Sequence, residues 1–154
     1  MNDRNGFVGM LNEPIEQTII IAENDSMVRG ILRSILEQPG RALLLAADGH
    51  EAVHYAETVQ ATLVLLDMMM PRMGGIIACQ QIRELSNYKD VPVVILTGFD
   101  SERARRDARR VGVTSFFVKP FTTDNLRRGL APLIATGQEA ITRAALPGLA
   151  GPRF

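Results

Sequence analysis

From Thr18 onward the chain alternates between two patterns of apolar and polar positions. Short unbroken apolar runs fall at residues 19–22, 43–45, 63–66, 93–96 and 116–118. They lack in/out alternation, as strands do when a parallel sheet is covered on both faces. Between them lie stretches of helical periodicity. Val28, Ile31, Leu32, Ile35 and Leu36 recur at i, i+3, i+4, i+7 and i+8, and Pro39-Gly40 closes that helix. Ala52, Val53 and Ala56 mark a second. Ile77, Ile82 and Leu85 face inward on a third that follows Gly74-Gly75. Ala104, Ala108 and Val111 form the narrow stripe of a fourth, ended by Gly112. The fifth starts near Thr122, a suitable N-cap, and carries Leu126, Leu130, Leu133 and Ile134. Pro132 within it predicts a kink or an early stop.

Five strand–helix units predict an α/β fold: a doubly wound parallel sheet with helices on both faces and right-handed crossovers. Residues 1–17 read as a flexible N-terminal arm, 18–136 as one domain, and 137–154, rich in Ala, Gly and Pro, as a mobile tail. A length of 154 residues suits a single domain, and a 46% hydrophobic fraction suffices for a sizeable core. Lysine plus arginine (17) balance aspartate plus glutamate (17), so no whole-chain field selects nucleic acid or membrane. The single cysteine, Cys79, excludes an internal disulfide and fits a reducing compartment. No apolar run approaches the roughly 18 residues of a membrane span, and the N-terminus lacks the features of a secretory signal. A soluble cytoplasmic protein is predicted.

The strand ends carry the candidate chemistry. The first apolar run stops at Glu23-Asn24-Asp25, the third at Asp67, the fourth at Thr97-Gly98 and the fifth at Lys119-Pro120. Open parallel sheets bind ligands outside the carboxyl ends of their strands. Taken singly, each residue has a structural explanation: a turn or cap for the aspartate and the Glu-Asn-Asp run, a solvated charge for the lysine, a packing role for the threonine. Four strands aiming such groups at one crevice favour function. The chemistry that suits them is phosphoryl transfer to a carboxylate, with Asp67 as nucleophile. Glu23 and Asp67 supply negative charge for a hard divalent cation such as Mg²⁺, and Asn24 a neutral oxygen. Lys119 neutralises one phosphoryl oxygen and Thr97 hydrogen-bonds another, with Gly98 leaving space.

The segments IIIAENDSMVRGILRSIL, LVLLDMMMPRMGGI, VPVVILTGF and GVTSFFVKPF resemble the response-regulator receiver family of two-component signalling, in its stand-alone form, over residues 18–134. The resemblance implies a flavodoxin-like strand order, 2-1-3-4-5. It also implies that Asp67 is the phosphoacceptor, Lys119 its cationic partner and Thr97 the hydroxyl that moves toward the phosphoryl group. Met69 matches the position whose backbone carbonyl helps hold the metal, and Phe116 the aromatic switch. The family usually has two carboxylates after the first strand, where this chain has Glu23 and Asn24, so Mg²⁺ binding is expected to be weak. Asp25 lies one position beyond the pair. The resulting expectation is a phosphorelay module, phosphorylated on Asp67 with Mg²⁺, that switches partner binding through Thr97 and Phe116. It would catalyse only its own phosphorylation and dephosphorylation. The alternative is a degenerate receiver that binds its partner without phosphate because Asn24 weakens the metal site. An enzyme or flavin-binding protein of the same architecture is disfavoured by the lack of a Gly-rich phosphate loop and of a second acid–base group.

Three finer expectations follow. Met69 and Phe99, two places after Asp67 and Thr97, are large and apolar and should shield the phosphorylated form from water, giving slow self-dephosphorylation. Arg103, Arg105, Arg106, Arg109 and Arg110 crowd the fourth helix against only Glu102 and Asp107, with Arg127 and Arg128 nearby on the last. This face is a solvated surface, a dock for an acidic partner, or a homodimer face of the fourth and fifth helices; no basic–aromatic interleaving points to nucleic acid. The implied partners are a sensor histidine kinase or histidine phosphotransfer protein and a downstream protein bound in trans. His50 and His54 share one helical turn without further ligands and read as structural.

Overall fold

A computed structural model of the chain describes residues 16–145. Five strands, β1 (Gln17–Ala22), β2 (Arg41–Ala46), β3 (Leu63–Asp67), β4 (Val93–Thr97) and β5 (Ser115–Val118), form one sheet in the order β2-β1-β3-β4-β5. Every pairing is parallel, as the apolar runs predict. The connections are α1 (Ser26–Leu36), α2 (Gly49–Thr58), α3 (Gly75–Glu84) and α4 (Glu102–Val111), and α5 (Thr123–Ala145) follows β5.

Period-two geometry divides the strand residues between two cores. Ile20, Ala22, Val64, Leu66, Val93 and Ile95 pack with Ala52, Val53 and Ala56 of α2 and Ala78, Cys79 and Ile82 of α3. Ile19, Ile21, Leu63, Leu65, Val94 and Leu96 pack with Leu32, Ile35 and Leu36 of α1 and Leu126, Leu130 and Ile134 of α5. Each fully buried Ile or Leu contributes roughly 1.5–3 kcal/mol of apolar transfer energy, so the unbroken runs are what this doubly covered sheet requires. Strand order reverses at β1, which leaves a crevice at the carboxyl ends of β1 and β3.

Several helical details differ from the sequence reading. Ile31 is exposed rather than inward, because it sits on the flank of a stripe already filled by Val28, Leu32, Ile35 and Leu36. Ile77 is also exposed; Ile82 is buried as expected, and the rest of the buried face of α3 is Gly75, Ala78 and Cys79, small residues at i, i+3 and i+4 that apolar bulk alone does not reveal. Pro132 does not end α5. The helix continues through Ala145, so the tail expected from residue 137 is helical over its first nine positions, while 146–154 lie outside the described residues. Gly137 is buried where the helix passes the sheet, and a Cβ there would lie 1.8 Å from the Thr62 carbonyl oxygen. Of the N-terminal arm, residues 1–15 lie outside the described residues, and Gln17 already pairs with Arg41. Thr122 does accept a hydrogen bond from Asn125 N at 3.1 Å, as a cap should.

Candidate functional site

Glu23 follows the last residue of β1 and Asp67 is the last of β3. Because Ala22 pairs with Leu66, the two carboxylates leave the sheet side by side. Lys119 follows β5, and its backbone N–H extends the ladder to the Thr97 carbonyl at 2.7 Å. Its ammonium reaches across β4 to donate to Glu23 Oε2 at 2.9 Å and lies 3.5 Å from Asp67 Oδ1. The Lys119-Pro120 peptide bond is cis. Glu23 is 1% exposed and Asp67 6%. Burial pushes the Glu23 carboxyl above its ordinary pKa, and the Lys119 hydrogen bond opposes that shift.

Asn24 completes the cluster. In the amide orientation that leaves neither end facing a like group, its nitrogen donates to Met69 O at 3.1 Å and to Asp67 Oδ2 at 3.3 Å. Asp67 Oδ1 accepts from Met69 N at 3.3 Å. Asp25 stands apart: it caps α1 by accepting from Met27 N at 2.8 Å and Val28 N at 3.1 Å. It therefore adds no ligand to the crevice. Gly75 explains part of the third-strand motif, since a Cβ there would sit 2.5 Å from the Asp67 carbonyl oxygen. Only glycine lets the start of α3 lie so close to the strand bearing Asp67.

Thr97 ends β4 and is fully buried. Its hydroxyl donates to Phe99 O at 2.9 Å and accepts from Phe99 N at 3.0 Å, both within its own loop. Thus Glu23, Asn24, Asp67, Lys119 and the Met69 carbonyl meet directly, whereas the Thr97 hydroxyl bonds only within its own loop. A Cβ on Gly98 would meet nothing within 4 Å, so the strand end beside it is open. Met69 and Phe99 are 72% and 68% exposed and line, with Ile77, Arg103 and Ala104, an apolar groove of about 430 Å³.

Phe116, half-buried on β5, lies under the Arg105 guanidinium, whose carbon is 5.0 Å from the ring centroid. Arg105 also forms a forked pair with Asp100. The sequence reading set only Glu102 and Asp107 against the arginines. The missed signal was an acid directly before the Ser101 cap of α4. Arg127 does not join the α4 surface as expected: it donates to Ile35 O at the end of α1. Arg29, not singled out beforehand, donates to Glu23 O at 2.7 Å and steadies the strand end. His50 and His54 are exposed, and no group of three or more His, Cys, Asp or Glu residues among the described residues forms a metal cluster.

With this geometry in place, comparison with known proteins is decisive. The family model "response regulator receiver domain" matches residues 19–131. The chain belongs to the response regulator receiver family. It is 34% identical over 113 residues to the transcriptional regulatory protein PdtaR of Mycobacterium tuberculosis, covering 73% of this chain and 54% of that protein. It is 32% identical over 117 residues to the CAI-1 autoinducer sensor kinase/phosphatase CqsS of Vibrio cholerae, covering 75% of this chain and 17% of that protein. The receiver spans about half the length, or less, of the curated relatives it matches. Among solved structures, it resembles the chemotaxis protein CheY4 of Vibrio cholerae at TM-score 0.72 and 27% identity, covering 76% of this chain and 98% of that one. It also resembles the receiver domain of sensor histidine kinase PA1611 from Pseudomonas aeruginosa, described with a magnesium ion in its active-site cleft, at TM-score 0.71 and 28% identity, covering 77% and 98%. The receiver therefore has the five-stranded 2-1-3-4-5 architecture of these neighbours. No helix among its described residues is long and apolar enough to cross a membrane.

Proposed function

We propose that this receiver is a phosphoacceptor in a two-component phosphorelay and that Asp67 takes the phosphoryl group. The observation carrying this reading is the junction of Asp67, Glu23 and Lys119, where one ammonium lies within 3.5 Å of a carboxylate from each of two strands. One Asp67 oxygen attacks phosphorus, and the bond from phosphorus to the donor's leaving atom breaks. That bond's electron pair departs with the leaving atom, so the step involves no redox change. Lys119 then shifts toward the new phosphoryl oxygens, and the Thr97 hydroxyl turns from Phe99 to donate to one of them. Phe116 follows Thr97 as the aromatic switch.

The donor set fits a hard divalent cation. Asp67, the Met69 carbonyl and the Asn24 amide converge on one spot beside Glu23, and Mg²⁺ needs few carboxylates when phosphoryl oxygens complete its shell. Glu23, Asp67, Met69 O and a reoriented Asn24 oxygen would hold it. When bound, it neutralises charge on the transferring group.

The donor is a sensor histidine kinase or a histidine phosphotransfer protein, and the output is a protein partner met in the cytoplasm through the arginine face of α4. Incubation with a small-molecule phosphodonor and Mg²⁺ should add one phosphoryl mass to the wild type and none to Asp67→Asn. Equal labelling of both would sink the assignment. We expect Met69 and Phe99, two places after Asp67 and Thr97, to shield the phosphoryl group from water, so the phosphorylated form should be long-lived. Met69→Asn with Phe99→Glu should shorten its lifetime severalfold by mass spectrometry, and an unchanged decay would remove the shielding role.

A second reading, a receiver that binds its partner without phosphate, draws on the Asn24 amide already bonding the groups a metal would use. It requires that Asp67 stay unlabelled under the same phosphodonor conditions.

A further inference from the structure

The resting hydroxyl of Thr97 and the resting ring of Phe116 are joined by a short chain of contacts. Thr97 is tied by two hydrogen bonds to the backbone of Phe99. The next residue, Asp100, receives both arms of the Arg105 fork, Nε on Oδ1 and Nη2 on Oδ2. The face of that guanidinium then lies over Phe116, 5.0 Å from the ring centre. Only Gly98, Phe99 and Asp100 separate β4 from the Ser101 cap of α4. When Thr97 leaves its two partners, the loop that carries Asp100 loses both of its side-chain bonds to β4.

We propose that Asp100 and Arg105 are positioning residues for this switch: the pair clamps the Phe116 ring in its resting place and opposes the turn of Thr97 toward a phosphoryl group on Asp67. A bidentate arginine–carboxylate pair fixes the plane of the guanidinium. A planar cation set over an aromatic face is attracted by the ring's negative quadrupole. Asp100 thus aims Arg105, and Arg105 holds Phe116. The pair is partly exposed, so salt weakens it. This makes the clamp weak enough for phosphorylation to open; loss of the Arg105 charge removes the ring's cover, and loss of the Asp100 charge leaves that cover unaimed. Gly98, with open space where a side chain would be, gives the loop room to rearrange once the clamp lets go.

The half concerning Thr97 rests on Asp67 being the acceptor; the half concerning Phe116 does not. The test uses the full chain labelled with para-fluorophenylalanine, the Phe116 fluorine resonance being assigned by its loss in Phe116→Leu. In the resting protein that resonance should move in both Arg105→Gln and Asp100→Asn, and Arg105→Lys, which keeps the charge but not the fork, should fall between. On titration with beryllofluoride and Mg²⁺, the half-saturating concentration should drop roughly two- to fivefold in the two charge-removing variants. Higher salt should move the wild type the same way. A Phe116 resonance identical in wild type, Arg105→Gln and Asp100→Asn would overturn the clamp. A shifted resonance with unchanged beryllofluoride response would overturn its coupling to Thr97. A wild type that ignores beryllofluoride altogether would instead overturn the acceptor reading, while the resting spectra still decide the clamp.

Discussion

Asn24 offers the crevice a dipole where a carboxylate would bring a full charge, and on the proposed reading this would set how firmly a cation is held. Its amide nitrogen bonds both Asp67 and Met69 O, so an entering cation must turn the amide round before oxygen faces it. Ligand charge count tunes divalent-cation affinity strongly. Asn24→Asp should therefore raise Mg²⁺ affinity on the order of tenfold by titration calorimetry; equal affinities would place the weakness elsewhere, with Lys119 on Glu23 the next suspect. The departure at Asn24 was legible in the sequence because it is a residue type in a known register. The resting place of the Thr97 hydroxyl and the Arg105 cover on Phe116 were not. Both depend on side-chain rotation and a three-residue loop, which spacing along the chain leaves undetermined.

Element boundaries depend on small polar contacts, and Asp48 shows how much one can carry. It caps α2 by accepting from Glu51 N at 2.9 Å, and Arg72, held at φ 64 in the loop after β3, pairs with its other oxygen. The Glu51 hydrogen bond, with help from Arg72, holds the Asp48 carboxyl below its ordinary value of 3.8. A depressed carboxylate stabilises the fold above its unfolded pKa, and that stability is lost as pH falls through the folded one. Asp48→Ala should cost about 1 kcal/mol near neutral pH. In urea melts, the gap between variant and wild type should close progressively as pH falls below about 3.8. A gap independent of pH would mean the cost is packing and not the charge. Periodicity found the five strands and five α-helices because apolar side chains mark both cores, and passed over only the single 3-10 turn at Ser86–Tyr88 among the described residues. It misassigned Ile31, on the flank of a stripe that Val28, Leu32, Ile35 and Leu36 already fill, and Ile77, where the small residues Ala78 and Cys79 do the facing. It also stopped α5 early, because Pro and Gly resemble an ending, although Gly137 is needed where the helix crosses the Thr62 carbonyl.

At the scale of the whole molecule the charges cancel, 17 against 17, yet α4 collects five arginines. Arg103, Arg106, Arg109 and Arg110 are exposed, and only Arg109 among these four has an acidic partner in the described residues, Glu102 at 3.3 Å. The field is therefore a patch, felt within about 10 Å at roughly 0.1 M salt. Two copies meeting through α4 by a twofold axis would set this patch against itself, and such an interface should tighten as salt rises and repulsion is screened. An acidic partner should bind less tightly under the same change. We expect the second behaviour to govern: with beryllofluoride at low salt the receiver should sediment as a monomer. Mixing it with Arg106→Glu/Arg110→Glu should produce a heterodimer that high salt dissolves, because the two patches are then opposite in sign. A wild-type dimer strongest at low salt would reverse this conclusion. It would mean that each α4 finds acidic groups on its partner's surface, and the arginines would then build self-association rather than select a different protein.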